Sequence, residues 1–202
     1  MITHYHRPKT IDQAIRFLSK PGFQPMGGGT FLNQPSDEFF SIVDLQALGL
    51  DSIDMVGNSI EIGATVNLQT ILESSHSPLE LNTAIRLEIP RNLRNMATIG
   101  GSIVACDGRS PLLTTLLALD PIVSIVPADE QITLGDLLPS RREKLRGKLI
   151  TKINFSLTPN LAFEFVARTP MDKPIICLAI ARWPSGRVRM VLGGWDTIPT
   201  LA

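Results

Sequence analysis

Hydrophobic and polar positions along this chain repeat with two periods, one typical of helices and one typical of strands. Behind Thr10, a residue type that caps helix N-termini, apolar side chains recur at helical spacing until Pro21-Gly22 ends the segment. The same spacing predicts helices over 67–74, capped by Asn67, 79–88 and 112–119. Alternating or continuous apolar runs predict strands at 41–45, 59–64, 122–126, 149–155, 161–167, 175–182 and 187–192. This mixture of elements indicates an α+β fold.

Two glycine-rich segments interrupt the pattern. The first is Gly27-Gly28-Gly29-Thr30, and the second is Thr98-Ile99-Gly100-Gly101-Ser102. Turns of this kind can direct several backbone N–H groups into one concavity, where they bind phosphate oxygens without a basic side chain. Neither segment matches the Gly-x-Gly-x-x-Gly dinucleotide fingerprint or the phosphate loop of ATPases. A tight structural turn explains each segment taken alone, so only the pair suggests a diphosphate site.

Composition excludes several classes of protein. With 44% hydrophobic residues among 202, the chain can bury a real core, and its 19 basic and 19 acidic residues create no overall field for nucleic acid. Cys106 and Cys177 are isolated, and no apolar run approaches a membrane span. We therefore expect a reduced, cytoplasmic protein without a membrane segment. No metal-ligand spacing or activated nucleophile is evident, and a packed thiol is favoured for Cys106.

One basic run precedes the strand at residue 149. Its members are Arg141, Arg142, Lys144, Arg146 and Lys148. We interpret the run as a solvated loop or helix end, and a docking patch is the alternative.

Taken in order, these segments resemble the FAD-binding subunit family of molybdenum hydroxylases, which includes the medium subunit of carbon monoxide dehydrogenase and the flavin domain of xanthine dehydrogenase. The first glycine segment is similar to the family's Ala-Gly-Gly-Thr loop. Arg94-Asn95-Met96-Ala97-Thr98-Ile99-Gly100-Gly101 is close to its Arg-Asn-x-Ala-Thr-Ile-Gly-Gly loop, and Ile62-Gly63-Ala64 and Leu192-Gly193-Gly194 also match. The resemblance implies a two-lobed FAD-binding fold of the PCMH and carbon monoxide dehydrogenase flavoprotein type.

This fold divides the chain into an FAD-binding domain over 1–158, with a small lobe over about 1–40 and a larger lobe over about 41–158. The strand-rich tail, 159–202, is expected to be a partial C-terminal unit that is truncated relative to the family. In the family, the two loops hold the FAD diphosphate through backbone amides. The resemblance therefore assigns FAD to the residues of the two glycine segments, which are Gly27, Gly28, Gly29, Thr30, Thr98, Ile99, Gly100, Gly101 and Ser102.

Three positions depart from the family's pattern. Phe31 stands where the family has Asp or Ser, while Ala105 and Pro111 replace an Asn and an Asp whose polar groups meet the flavin's ribityl and phosphate oxygens. Asp107, Arg109 and Ser110 offer a replacement set, with Arg109 meeting phosphate and either Asp107 or Ser110 meeting ribityl hydroxyls. An ordinary loop with a salt bridge between Asp107 and Arg109 is an equal alternative.

The function implied by the resemblance is electron transfer, in which FAD relays electrons from iron–sulfur clusters to an acceptor. The partners would be an iron–sulfur subunit and a molybdopterin subunit, with enzymatic activity only in the assembled complex. A homodimer is one arrangement that the sequence leaves open. The first alternative is a degenerate scaffold or interaction subunit that no longer binds flavin. The second is a module that binds another small nucleotide in the same turns.

Overall fold

The first of three β-sheets in the computed structural model, which describes residues 1–32, 39–169 and 172–202, is parallel and is formed by the N-terminal part of the chain. Its strands are β1 (Ile2–His6), β2 (Phe23–Met26) and β3 (Phe40–Asp44), with β3 in the centre. Between β1 and β2 the chain forms α1 (Ile11–Leu18). The Thr10 hydroxyl accepts a hydrogen bond from the N–H of Gln13, as the predicted cap requires. The buried face of α1 packs on β3 in a small apolar cluster with members Ala14, Leu18, Val43, Leu45 and Leu149.

The central sheet is antiparallel and holds the largest part of the core. Its strands are β4 (Ile53–Val56), β5 (Ser59–Gly63), β6 (Ile122–Val126), β7 (Glu130–Thr133) and β8 (Leu149–Ser156), in the spatial order β4-β5-β8-β6-β7. The apolar alternation of β5, β6 and β8 points one row of side chains into the core. Because β8 is the middle strand, it fixes the position of the segment that precedes it.

Helices cover the core face of this sheet. Between β5 and β6 lie α2 (Leu68–Glu73), α3 (Leu79–Glu88), α4 (Arg91–Arg94), α5 (Ile99–Ala105) and α6 (Pro111–Leu119). Every residue of α6 is buried, because the helix packs against α3 on one side and against a third sheet on another. Between β7 and β8 lie α7 (Leu134–Leu137), a 3-10 turn (Leu138–Ser140) and α8 (Arg141–Lys144).

The third sheet packs its small buried residues against α6. It contains β9 (Asn160–Val166), β10 (Ile176–Arg182), β11 (Val188–Gly193) and β12 (Thr200–Leu201), all antiparallel in the order β12-β11-β10-β9. The short side chains on its inner face let the helix approach closely. They are Cys177, Ala179 and Ala181 on β10, with Val191 on β11.

The α+β class is confirmed, and each helix and strand predicted from the pattern is present within a few residues of its expected ends. The pattern missed five strands (β1, β2, β4, β7 and β12) and several short helices. Among the missed helices is α5, which begins within the second glycine segment. The domain boundaries near residues 40 and 158 stay predictions. Within the described residues, every helix is too short or too polar to cross a membrane.

Candidate functional site

The first glycine turn begins where β2 ends, at the edge of the sheet where all three parallel strands end. Gly29 has a φ of +73°, a conformation that favours glycine. The side-chain amide of Gln46 donates a hydrogen bond to the carbonyl oxygen of Gly27 at 2.6 Å and holds the turn to the chain beyond β3. In the described part of the chain, no acceptor meets the N–H groups of Gly28, Gly29 and Thr30. Consecutive unpaired amides are suited to binding an anion.

The second glycine turn uses its own amides within the protein. Thr98 caps α5, because its hydroxyl oxygen accepts from the N–H of Gly101 at 3.2 Å. The N–H groups of the two residues between them donate to the carbonyl oxygens of Val66 and Ala64, each at 3.0 Å. The N–H and hydroxyl of Ser102 both donate to the Thr98 carbonyl. A ligand can therefore approach the backbone of this turn closely and meet the hydroxyl groups of Thr98 and Ser102. The unpaired amides belong to the first turn.

The two turns touch each other directly, although about 70 residues separate them in sequence. A Cβ atom added to Gly27 would lie 2.4 Å from the Thr98 hydroxyl oxygen, and one added to Gly28 would lie 1.6 Å from the carbonyl oxygen of Met96. Neither distance leaves room for a side chain, so only glycine fits at these two positions. The contact fixes the free amides of the first turn beside the start of α5.

Both turns line one cleft of about 520 Å³. It also extends past the end of α3 at Glu88, past residues 104–107, and along the chain from Arg141 to Ile150. The structure thus brings together nearly all of the residues predicted for the site. The members that line the cleft are Gly27, Gly28, Gly29, Thr30, Thr98, Gly100, Gly101, Ser102 and Asp107. Ile99 is an exception, because its side chain is buried in the core.

Arg109 is the second exception, since its guanidinium is used elsewhere. Its Nε donates to the carbonyl of Pro174 and its Nη2 to the carbonyl of Lys173, both at 2.9 Å, and the residue does not line the cleft. Asp107 does line the cleft, but its carboxylate pairs with Lys173 Nζ at 2.9 Å. The alternative of an Asp107–Arg109 salt bridge is therefore wrong, because Lys173 takes the carboxylate and the two carbonyls take the guanidinium.

The basic run before β8, residues 141–148, is the part of the site that our sequence interpretation missed. We refer to these residues as the basic segment. It forms α8 and the turn after it, and four of its cationic side chains line the cleft instead of facing only solvent. They are Arg141, Arg142, Arg146 and Lys148. The charge run was visible in the sequence, but no local pattern indicated that it faces the glycine turns.

An acidic group closes another side of the cleft. The side chain of Glu88 is 12% exposed and lies 3.6 Å from Lys173 Nζ. Its carboxylate accepts hydrogen bonds from the Ser110 hydroxyl at 2.7 Å and from the N–H of Leu112 at 3.1 Å, which caps α6. Burial raises the pKa of Glu88, while Lys173 and the two hydrogen bonds oppose that shift.

Among the residues that the structure describes, the cleft contains neither an activated thiol nor a set of metal ligands. Burial raises the pKa of the Cys106 thiol to about 11, so this group is protonated at neutral pH. In residues 1–32, 39–169 and 172–202, no cluster of His, Cys, Asp and Glu side chains could hold a metal ion. The arrangement can bind and position a ligand.

Comparison with known proteins agrees with this geometry. The family described as the FAD binding domain in molybdopterin dehydrogenase matches residues 1–156. The uncharacterized protein YgfM of Escherichia coli K12 is 28% identical over 199 residues, covering 96% of this chain and 75% of YgfM. The 6-hydroxypseudooxynicotine dehydrogenase complex subunit alpha of Paenarthrobacter nicotinovorans is 28% identical over 212 residues, covering 93% of this chain and 71% of the relative.

Among solved structures, the fold matches a chain of the reconstituted CO dehydrogenase from Oligotropha carboxidovorans. The TM-score is 0.83 at 23% sequence identity, and the match covers 98% of this chain and 77% of the other. The predicted flavoprotein fold is thereby confirmed. FAD is the cofactor of the matched family.

Proposed function

This chain belongs to the family of FAD-binding domains of molybdopterin dehydrogenases, and from that premise we propose that it holds FAD in its cleft as the electron-transfer subunit of a larger complex. The diphosphate binds at the junction of the two glycine turns. Bound there, FAD would supply the redox chemistry that passes electrons from iron–sulfur clusters of a partner subunit to an acceptor. A molybdopterin subunit of the same complex carries out the substrate chemistry.

The contact between the two glycine turns is the observation that carries this proposal. It places three amides without a described acceptor, those of residues 28–30, beside the hydroxyl groups of Thr98 and Ser102. Amides held in this way bind phosphate oxygens without reorganising when the ligand arrives. The cleft of about 520 Å³ beside them lies within the range typical of small-molecule sites.

The residues present fit the phosphate end of FAD better than its sugar and ring. Backbone amides are independent of side-chain identity, so Phe31 leaves this part of the site intact. Ala105 lines the cleft without a polar group, and Pro111 is buried at the first position of α6. Flavin supplies the ability to exchange electrons singly or in pairs. The chain's own residues bind the cofactor, orient it and exclude water from one side of it.

Assembly with other subunits is the second part of the proposal. The relative from Paenarthrobacter nicotinovorans is named as a subunit of a dehydrogenase complex. The name of this relative supports a role for this chain that depends on partner subunits. Co-purification of the tagged chain with subunits that contain iron–sulfur clusters and molybdopterin tests this part.

The cofactor claim is tested by visible absorbance of the purified chain, before and after incubation with FAD and removal of the excess. We expect flavin bands at close to one flavin per chain. The Gly28→Ala variant, in which the turns cannot stay in contact, should lose most of this flavin. A folded wild-type chain that retains no flavin would overturn the cofactor claim.

A scaffold that no longer binds flavin is the second candidate. It is favoured by the amides of residues 99–102, all of which are already bonded within the chain, and by the missing polar groups at Ala105 and Pro111. A colourless chain that resists FAD but still co-purifies with cluster and molybdopterin subunits would support this candidate. A thermal shift with ADP or FMN and none with FAD would instead indicate a module for another nucleotide.

A further inference from the structure

Two cationic side chains of the basic segment have no hydrogen-bond or ion-pair partner among the described residues. We propose that Arg142 and Arg146 are the charge partners of the cofactor's phosphate groups, and that they make the cleft select phosphorylated flavins over riboflavin. This inference rests on the proposed function, because it assigns a role at the same cleft. It adds side-chain charge to a site whose glycine turns contribute only backbone dipoles and hydroxyl groups.

The structure holds the basic segment firmly against the cleft. Arg141 donates from Nε to the carbonyl of Val104 at 3.1 Å and from Nη2 to the carbonyl of Cys106 at 2.9 Å, which ties α8 to the C-terminal end of α5. At its other end, the segment passes Leu18 of α1 and continues into Leu149, which is buried with β3. Contacts to α5 at one end and to α1 and β3 at the other therefore hold residues 142–146 as a wall of the cleft.

The other charged side chains around the cleft already have partners. Lys148 pairs with Glu130 at 2.9 Å, while Lys173 lies between the carboxylates of Glu88 and Asp107. Arg141 is engaged with backbone carbonyls, as described above. Positive charge that is available to a ligand is therefore concentrated at two positions of the basic segment.

Arg142 and Arg146 are exposed and line the cleft. Throughout the described residues, neither guanidinium has a hydrogen bond or an ion pair. A guanidinium offers two parallel N–H donors to a phosphate, and such charge-assisted bonds are about twice as strong as neutral ones. The diphosphate of FAD is doubly charged, so the two arginines match its charge.

The test compares two double variants that remove the same charge. Arg142→Gln/Arg146→Gln alters the basic segment, whereas Arg86→Gln/Arg91→Gln removes two exposed arginines that do not line the cleft. Binding of FAD and of riboflavin is measured by flavin fluorescence at low and high salt, and binding of ADP by thermal shift. Circular dichroism and melting temperature establish that each variant is folded.

We expect Arg142→Gln/Arg146→Gln to raise the FAD dissociation constant roughly tenfold or more at low salt. The difference should shrink at high salt, because ions screen the attraction. ADP should be affected similarly and riboflavin unaffected, and the control should stay within about twofold of wild type for every ligand.

The outcomes separate this inference from the proposed function. If wild type binds FAD and the two double variants bind it equally well, the charge partnership is wrong and the cofactor role stands. If wild type binds ADP through these arginines but rejects FAD, the arginines pair with the phosphates of another nucleotide, and both the selection of phosphorylated flavins and the cofactor role fall. Equal loss of riboflavin and FAD would show a packing effect and overturn the inference, as would a wild type that binds none of the ligands.

Discussion

Replacing Gly28 by alanine is the sharpest test of the junction between the glycine turns. The added methyl group would lie 1.6 Å from the carbonyl oxygen of Met96, whereas real Cβ atoms stay at least 3.0 Å from such a neighbour. The obstacle is backbone, so no side-chain rotation relieves it. The two turns must separate by at least about 1.4 Å, and the amides after Gly28 move with them.

The magnitude follows from overpacking and from lost phosphate contacts. Overpacking of a rigid site costs about 3 kcal/mol, which for a chain of this length lowers the melting temperature by about 6 to 12 °C. Hydrogen bonds to charged groups contribute roughly 1.5 kcal/mol each at the low end, so the loss of two weakens FAD binding on the order of a hundredfold. Differential scanning fluorimetry and flavin titration measure the two effects separately.

Gly49→Ala is the matched control. Gly49 has a φ of +67° and open space around its Cβ position, so alanine is strained there without striking a neighbour. This strain costs about 1 kcal/mol, and flavin binding should be unchanged because Gly49 does not line the cleft. If Gly28→Ala had the same melting temperature as Gly49→Ala and the same affinity for FAD as wild type, the direct contact between the turns would be refuted.

Three further predictions address other parts of the structure. Burial raises the pKa of Glu88 above its ordinary value of 4.5, so the contribution of Glu88 to stability is present below pH 4.5 and is lost as pH rises through the folded-state pKa. The melting temperature of Glu88→Gln minus that of wild type should therefore increase from pH 4.5 to 8. A difference in melting temperature that does not change with pH would contradict this. Because the pKa of the Cys106 thiol is raised to about 11, only about one thousandth of this thiol is ionised at pH 8. Iodoacetamide should therefore label Cys106 much more slowly in the native chain than in the urea-unfolded chain, as measured by mass spectrometry of digested peptides. Equal labelling rates in the two states would disprove the protection of Cys106. Asp120 pairs with Arg189 at 2.9 Å, and both side chains are 15% exposed. The backbone of Asp120 has a left-handed conformation that asparagine tolerates, so Asp120→Asn should lower the free energy of unfolding by about 2 kcal/mol in urea titrations through loss of the ion pair. A loss below about 0.5 kcal/mol would show that the pair contributes little.

Short sequence patterns were sufficient to predict those elements whose structure depends on neighbouring residues, such as helices and their caps. Thr10 and Asn67 were predicted to cap helices, and each side chain accepts the expected hydrogen bond. The missed strand β1 is mostly exposed, so it carries no alternation of apolar residues. It is a strand because β3 supplies its hydrogen-bonding partner, and a pairing between distant segments leaves no mark on local periodicity.

The candidate site divides in the same way. Consecutive glycines indicated both turns, and the family resemblance placed them at one ligand. The charge of the basic segment was equally visible, but its position depends on Arg141 reaching the carbonyls of Val104 and Cys106. The side chain of Arg109 is directed away from the cleft by two carbonyls about 65 residues further along. Side-chain hydrogen bonds to distant backbone groups follow no sequence spacing, so these placements required the structure.

Two of the three departures from the family's pattern, Ala105 and Pro111, lie at the end of α5 and the start of α6, and this has a consequence for affinity. Around Pro111, the Ser110 hydroxyl and the N–H of Leu112 are committed to the carboxylate of Glu88. Asp107 is committed to Lys173, which also contacts Glu88, so this region is organised as an internal network and has few polar groups left for ribityl oxygens. Within the part of the chain that the structure describes, the first glycine turn keeps unpaired amides, and the basic segment keeps the unpaired guanidinium groups of Arg142 and Arg146. Binding energy in this chain should therefore come mainly from the phosphate end of the cofactor, where backbone geometry and net charge matter more than the identity of any one polar side chain.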